Sequence, residues 1–153
     1  MNPALEYLLA RLLADYLIHL QETEFLPEEL QIVIGLEMSA RQRPCIVCHV
    51  EAVEFPHPRL AEAELSVTLH THADETPVLT ESTWIAQLRR ALSNQVGFFS
   101  WLAALPSGER QGWTLRRLRL NRSESELNRE ERTRSHITRL NLSAQSDELT
   151  PSA

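Results

Sequence analysis

The sequence predicts an α+β domain: a mainly antiparallel sheet covered by an N-terminal helix and a second helix after the third strand, with a C-terminal β-hairpin. Leucines recur at helical spacing from Leu5 to Leu20. Apolar and polar residues then alternate from Leu60 to His72, which is typical of a strand with one buried face. The helical period returns at Trp84. Strands grouped around covering helices indicate the α+β class.

The first half of the chain divides into one helix and three strands. The helix is expected at Ala4–Leu20, with Asn2 as its N-cap and Pro3 at the first helical position. The strands are expected at Gln31–Met38, Pro44–Phe55 and Leu60–His72, separated by turns at Arg41–Pro44 and Pro56–Pro58. The first of these strands is ambiguous, since a short helix could also begin after Pro27.

The second half begins with a turn at Ala73–Pro77, followed by a helix at Thr80–Ser93. A short helix or packed loop is expected at Val96–Leu105, a bulged strand at Trp113–Asn121, a polar loop at Asn121–Arg132 and a last strand at Arg134–Leu142. We therefore expect one domain over residues 1–144 and a disordered tail over 145–153.

Length and hydropathy restrict the class of protein. A chain of 153 residues suits one domain that buries its own core. No apolar run approaches the roughly 20 residues that span a bilayer. The first residues also lack the basic segment of a signal peptide. We therefore expect a cytoplasmic protein with no membrane partner.

Charge is unevenly distributed along the chain. All fifteen basic residues are arginine. Residues 1–81 contain fourteen acidic residues and four arginines, whereas residues 82–153 contain seven acidic residues and eleven arginines. Compositional drift in a GC-rich genome also produces an arginine bias. The segregation of charge nevertheless fits a subunit whose acidic and basic sides dock head to tail.

The two cysteines match a known motif in an unsuitable context. The segment Cys45-Ile46-Val47-Cys48-His49 has the C-x-x-C-H spacing of covalent haem attachment. In a strand, however, residues three apart point to opposite faces, so the two thiols cannot hold one haem or zinc ion or each other. We interpret both as reduced cysteines packed in the fold.

His70 and His72 are the other candidate ligands, with Asp74 close by. Both imidazoles lie on one face of a strand, and His49 or Glu51 on a neighbouring strand could supply a third ligand. Exposed histidines on a polar sheet face are far more common than metal sites. No Walker loop, nucleophile elbow or H-E-x-x-H motif is present. The sequence therefore predicts no metal, no cofactor and no enzymatic activity.

Arginines are concentrated in the C-terminal hairpin, at Arg116, Arg117, Arg119, Arg122, Arg129, Arg132, Arg134 and Arg139. Such density can bind nucleic-acid phosphates. Glutamates are interleaved with these arginines, however, and no aromatic residue alternates with them for base stacking. A solvated hairpin with internal ion pairs is the simplest interpretation. A surface that docks another protein is the second, and nucleic acid is the third.

The order of these elements resembles that of the tail-terminator and tail-completion proteins of long-tailed phages and related tail-like particles. The matching parts are Ala4–Leu20, Pro44–His72, Thr80–Leu92 and the Trp113–Leu142 hairpin. That family has no diagnostic residue motif, so the resemblance is one of pattern and size. The aromatic segment Phe98–Trp101 and the phase slip near Arg116 do not map onto the family.

The resemblance implies a structural subunit of the virion tail, assembled in the host cytoplasm, that closes into a ring, usually six-fold. The ring would end growth of the tail tube and join it to the neck. The implied partners are copies of itself, the tail tube protein and a neck or head-completion protein, with nucleic acid reached only through the ring lumen. The expected interface residues are Arg116, Arg117, Arg119, Arg122, Arg129, Arg132, Arg134, Glu62 and Glu64.

Two other classes of function stay open. Secretion chaperones are also small, acidic α+β proteins that often dimerise, and a discrete dimer with a bound effector would favour them. The remaining alternative is a metalloenzyme that uses His70 and His72, which elemental analysis of the purified protein would detect.

Overall fold

A computed structural model describes residues 4–35 and 44–147. Within them, the helices are α1 (Leu5–Glu22), α2 (Val78–Ser93) and α3 (Gln95–Ala104), and the strands are β1 (Gln31–Ile34), β2 (Cys45–His57), β3 (Leu60–His72), β4 (Trp113–Asn128) and β5 (Thr133–Ser146). A short 3-10 turn, Ser107–Arg110, precedes β4. The predicted α+β class is confirmed.

The strands form one sheet in the order β1-β2-β3-β5-β4. β1 runs parallel to β2, and the other neighbouring pairs are antiparallel. β3 and β5 pair without a register shift from Leu60 opposite Gln145 to His72 opposite Thr133. The sheet is therefore mainly antiparallel, as predicted, and the β4–β5 hairpin lies along the whole of β3.

α1 packs its leucine stripe into the core. The buried leucines are Leu5, Leu8, Leu9, Leu12, Leu13 and Leu17. The helix begins at Leu5 with Ala4 at the N-cap, so the prediction of Asn2 as the cap is wrong. Asn2 and Pro3 lie outside the described residues. Burial of the stripe, and not a side-chain cap, therefore fixes this helix.

β1 shows that the ambiguous segment is a strand, as its β-branched residues indicated. The strand ends before Gly35, whose φ of +90° is a conformation that favours glycine. The remainder of the predicted strand, residues 36–38, and most of the predicted turn, residues 41–43, lie outside the described part of the chain.

β2 continues through Pro56 to His57, so the break predicted at Pro56–Pro58 comes later than expected. β1 pairs only with the first residues of β2, Cys45 to Cys48. Pro56 therefore lies on a sheet edge, where a residue without a backbone N–H disrupts no ladder. The expected hairpin between β2 and β3 is confirmed.

α2 begins at Val78, two residues before the predicted start at Thr80. Its apolar face is the predicted one, because Trp84, Leu88 and Leu92 are all buried. This helix covers the sheet, as expected from its spacing.

α3 resolves the choice between a helix and a packed loop in favour of a helix. The side-chain oxygen of Asn94 caps it by accepting a hydrogen bond of 3.0 Å from the Gly97 amide. A Cβ added at Gly97 would lie 2.4 Å from Nδ2 of Asn94, so a larger residue there would displace the capping side chain. Phe98 packs edge-on against Tyr16 of α1, with ring centroids 5.2 Å apart.

β4 differs most from the prediction, since the expected loop at Asn121–Arg132 is largely strand. Pairing with β5 satisfies the backbone groups of β4 that face inward, even though its outer half is polar apart from Leu127. The predicted bulge is confirmed by a register shift between Leu115 and Arg117. A second shift lies between Leu120 and Arg122. These bulges keep the apolar residues of β4 on one face.

β5 contains the strand predicted at Arg134–Leu142 and extends beyond it at both ends. The prediction of a disordered tail is wrong for Gln145 and Ser146, which belong to β5. The Ser146 amide donates a hydrogen bond of 2.8 Å to the Arg59 carbonyl, which fastens this end of the strand. Residues 148–153 lie outside the described chain.

One hydrophobic core fills the space between the helices and a single face of the sheet. No helix among residues 4–35 and 44–147 is long and apolar enough to cross a membrane.

Candidate functional site: the open face of the sheet

The helices pack on only one face of the sheet. The core combines buried residues of α1, α2 and α3 with alternating strand residues such as Ile46, Cys48 and Leu65. No described helix covers the opposite face, which we call the open face. Its side chains include Glu51, Ala52, Glu54, Glu62, Glu64, Ser66, Thr68, His70, His72, Arg117, Arg119, Arg122, Glu124, Glu126, Ser135, Ile137, Arg139, Asn141 and Ser143.

Charge changes sign across the open face. The sheet register aligns Glu64 of β3, Asn141 of β5 and Arg119 of β4 in one row. The next row repeats the arrangement with Glu62 and Arg117. The acidic and basic residues of each row are therefore two strands, about 10 Å, apart. No ion pair joins them among the described residues. Between them lies a groove of about 330 Å³.

Arg139 connects three strands near the centre of the open face. Its Nε donates to Oε1 of Glu124 on β4 at 3.0 Å, and its Nη1 donates to Glu51 on β2. Hydrogen bonds to Glu124 and then to Glu51 raise the pKa of the Arg139 guanidinium. The residue opposite Arg139 on β3 is Ser66, whose small side chain leaves room for this reach. Arg139 therefore stabilises the sheet through contacts between its own strands.

Arg134 lies on the helix-covered face. Its Nε donates to Glu81 of α2, and its Nη2 donates to the Thr76 carbonyl at 2.7 Å. Thr71 of β3 donates a further hydrogen bond of 2.9 Å to Glu81. The Arg134 side chain is only 22% exposed. This network fastens the first turn of α2 to the hairpin, so Arg134 has little freedom to meet a partner.

The hairpin arginines thus divide into two groups. Arg132, Arg134 and Arg139 form ion pairs within the chain. Nη2 of Arg132 lies 2.6 Å from Oδ1 of Asp74. The remaining five are exposed and form no ion pair with any described residue: Arg116, Arg117, Arg119, Arg122 and Arg129. The second group is available for contacts with another molecule.

His70 and His72 lie on the open face, as their alternate positions predicted. Nδ1 of His70 is 2.9 Å from Oγ of Ser135, and Nδ1 of His72 accepts a hydrogen bond from the Asp74 amide. The register places His49 four residues along the sheet from His70. Among the described residues, no three His, Cys, Asp or Glu side chains assemble as a metal site.

Cys45 and Cys48 point to opposite faces of β2, as predicted for residues three apart in a strand. Both are buried and neither is in a disulfide. Burial raises the pKa of the Cys48 thiol to about 12, so it stays protonated and unreactive near neutral pH.

Nothing in the sequence singles out His136, yet it is buried on the helix-covered face. Its Nδ1 lies 2.9 Å from Oγ of Ser125, and its Nε2 has no hydrogen-bond partner among the described residues. Burial, and then the nearby charge of Arg89, lower the pKa of His136, while Glu81 opposes the shift. The surroundings of His136 come from β4 and α2, which lie far from it in the sequence.

Comparisons with known proteins bear on the fold. No protein-family model matches the chain, and no curated protein matches it. The chain is similar to a solved protein chain from the virion of a native gene transfer agent (GTA) particle, with a TM-score of 0.50 and 12% sequence identity. The similarity covers 74% of this chain and 78% of that chain. At this identity the comparison shows a shared fold.

Proposed function

We propose that this chain is a structural subunit of a phage-like particle. The observation that carries the proposal is the fold shared with a chain of the GTA virion, over about three quarters of both chains. The open face supports the proposal, because complementary charged surfaces guide the docking of protein subunits.

Within such a particle, the role that fits best is that of a tail-terminator or tail-completion protein without enzymatic activity. The order of helices, sheet and hairpin resembles that family. A ring needs two different surfaces on each subunit, and the open face offers an acidic and a basic part. The subunit would form a ring, usually six-fold, at the head-proximal end of a tail tube. There it would contact the tube protein and a neck protein, in a virion assembled in the cytoplasm.

The basic contact surface in this proposal is narrower than the whole hairpin. We assign it to the arginines that form no ion pair with a described residue, which are Arg116, Arg117, Arg119, Arg122 and Arg129. Glu62 and Glu64 belong to the acidic counterpart, although Glu62 also accepts a hydrogen bond of 2.6 Å from Ser143. Arg132 and Arg134, which the sequence placed in the interface, are engaged within the subunit.

The test is to mix the purified protein with tail tubes from the same particle and image the mixture by electron microscopy. We expect rings in the protein alone and a cap at one end of each tube, which stops further polymerisation. Native mass spectrometry gives the stoichiometry of the ring. Monomers alone, with tubes that keep growing, would contradict the proposal, and a discrete dimer would favour the secretion-chaperone class.

A further inference from the structure

We infer that neighbouring copies of this chain join by pairing strands, with the outer edge of β4 in one copy against the free edge of β2 in the next. The inference rests on the proposed ring and specifies how its subunits meet. It would make one continuous sheet around the ring, with the open face of each copy beside that of its neighbours.

The first edge is β4. This strand is last in the sheet, so its outer backbone groups have no strand partner among the described residues. Its sixteen residues make it long for an edge strand. An edge of this kind can pair with another chain, a mode of recognition that other proteins use for partner binding.

The second edge is the outer part of β2. β1 covers β2 only from Cys45 to Cys48, and no other described strand pairs with β2 on that side. The residues from Glu51 to His57 are exposed apart from Val53, and Phe55 is 56% exposed. An exposed aromatic side chain on a bare edge is a group that a partner strand would cover.

The strand directions suit this pairing. β2 is antiparallel to β3, β3 to β5, and β5 to β4, so β2 and β4 run in opposite directions. Rotation about the ring axis, which relates one copy to the next, preserves the direction of each strand relative to that axis. β4 of one copy therefore meets β2 of the next as an antiparallel pair. Because the two edges differ, the contact is head to tail and leads to a ring or filament.

Charge favours the mixed pair over pairing of two β2 edges. On the open face, the first half of β4 presents Arg117, Arg119 and Arg122, and Glu124 and Glu126 follow in its second half, whereas β2 presents Glu51 and Glu54. Two β2 edges would place glutamates against each other. Like charges on opposite positions of neighbouring strands are destabilising. The bulges of β4 and Pro56 of β2 also discourage indiscriminate pairing.

A charge exchange tests which edges meet. Glu54→Arg and Arg119→Glu should each weaken ring formation about tenfold or more, since each puts like charges together at every interface. The variant with both changes restores opposite charges and should assemble within about threefold of the natural protein. Glu75→Arg and Arg90→Glu are matched controls on exposed residues away from both edges and should assemble normally.

Hydrogen exchange then distinguishes strand pairing from contact through side chains alone. In the assembled natural protein, the outward-facing backbone amides within Glu51–His57, and those of the β4 residues that pair with them, should exchange about tenfold or more slowly than in the dissociated single variants. Amides of α2 serve as the internal reference and should not change.

The outcomes separate the two proposals. Rings that assemble without rescue by the double variant, or without new protection at both edges, would overturn the paired-edge interface and leave the ring subunit in place. Monomers under all conditions, including with tail tubes, would overturn the proposed function and the interface with it.

Discussion

The two faces of the sheet are built by the same strands but depend on different forces. On β3, Leu65 and Leu69 are buried beneath the helices, whereas Glu64 and Thr68 alternate with them on the open face. Burial of apolar area stabilises the fold by about 25 cal/mol per Å². Exposed ion pairs contribute about 0–1 kcal/mol each. The helix-covered face therefore determines stability, while the open face can vary with little cost to folding.

Shortening one side chain on each face of β3 should give the largest difference in the free energy of unfolding. Leu65→Ala removes a fully buried side chain from the centre of the core and should lower the free energy of unfolding by about 2–5 kcal/mol. Thr68→Ala, on the open face of the same strand, should change it by about 0.5 kcal/mol or less. Urea denaturation measures both. Equal losses of unfolding free energy in the two variants would contradict the claim that the helix-covered face determines stability.

Replacing each of two arginines in the β4–β5 hairpin should give the second-largest difference in stability. Arg134→Met leaves Glu81 with the Thr71 hydrogen bond but without its ion-pair partner, in a site where both side chains are mostly covered. It should lower the free energy of unfolding by about 2 kcal/mol. Arg117→Met removes an exposed charge with no ion pair among the described residues and should cost about 0.5 kcal/mol or less. Thermal denaturation compares them. A larger loss for Arg117 would show that we have assigned the internal and external groups wrongly.

The smallest expected effect is on the pH dependence of stability, and it comes from His136 on the helix-covered face. Its pKa is lowered by burial and by Arg89, so the native state binds this proton less readily than the unfolded chain. The stability from neutral His136 is therefore complete above the unfolded pKa of about 6.5 and is lost as the pH falls from there toward the lowered native pKa.

His136→Gln should accordingly flatten the decline in unfolding free energy between about pH 7 and pH 5. The other histidines are common to both proteins, so the difference between the two pH profiles isolates this residue. Identical profiles would show that protonation of His136 does not affect folding.

Regular periodicity explains which parts of the fold could be predicted from the sequence. α1, β3 and α2 each bury one face, so their apolar spacing is visible in the chain. The bulge at Arg116 was also predictable, since the apolar residues on either side of it fall out of phase. The outer half of β4 was not, because it is polar apart from Leu127 and its pairing with β5 supplies the only support for a strand.

The candidate site shows the same limit. Sequence reasoning found the arginine-rich hairpin and the polar face of β3, because both are local patterns. It could not tell which arginines form ion pairs within the chain, because their partners are distant in the sequence. Glu51 lies 88 residues from Arg139, and Glu81 lies 53 residues from Arg134. Which guanidinium forms ion pairs within the chain depends on sheet register and helix placement, and local spacing in the sequence shows neither.

The most direct test of the account is native mass spectrometry of a variant with two reversed charges, Arg117→Glu and Arg119→Glu. Its matched control carries Arg89→Glu and Arg90→Glu on the exposed surface of α2. We predict that the natural protein and the control form rings, whereas the first variant is monomeric with an unchanged midpoint of urea denaturation. Rings of unchanged stoichiometry and stability in the Arg117 and Arg119 variant would contradict the role of this surface in assembly.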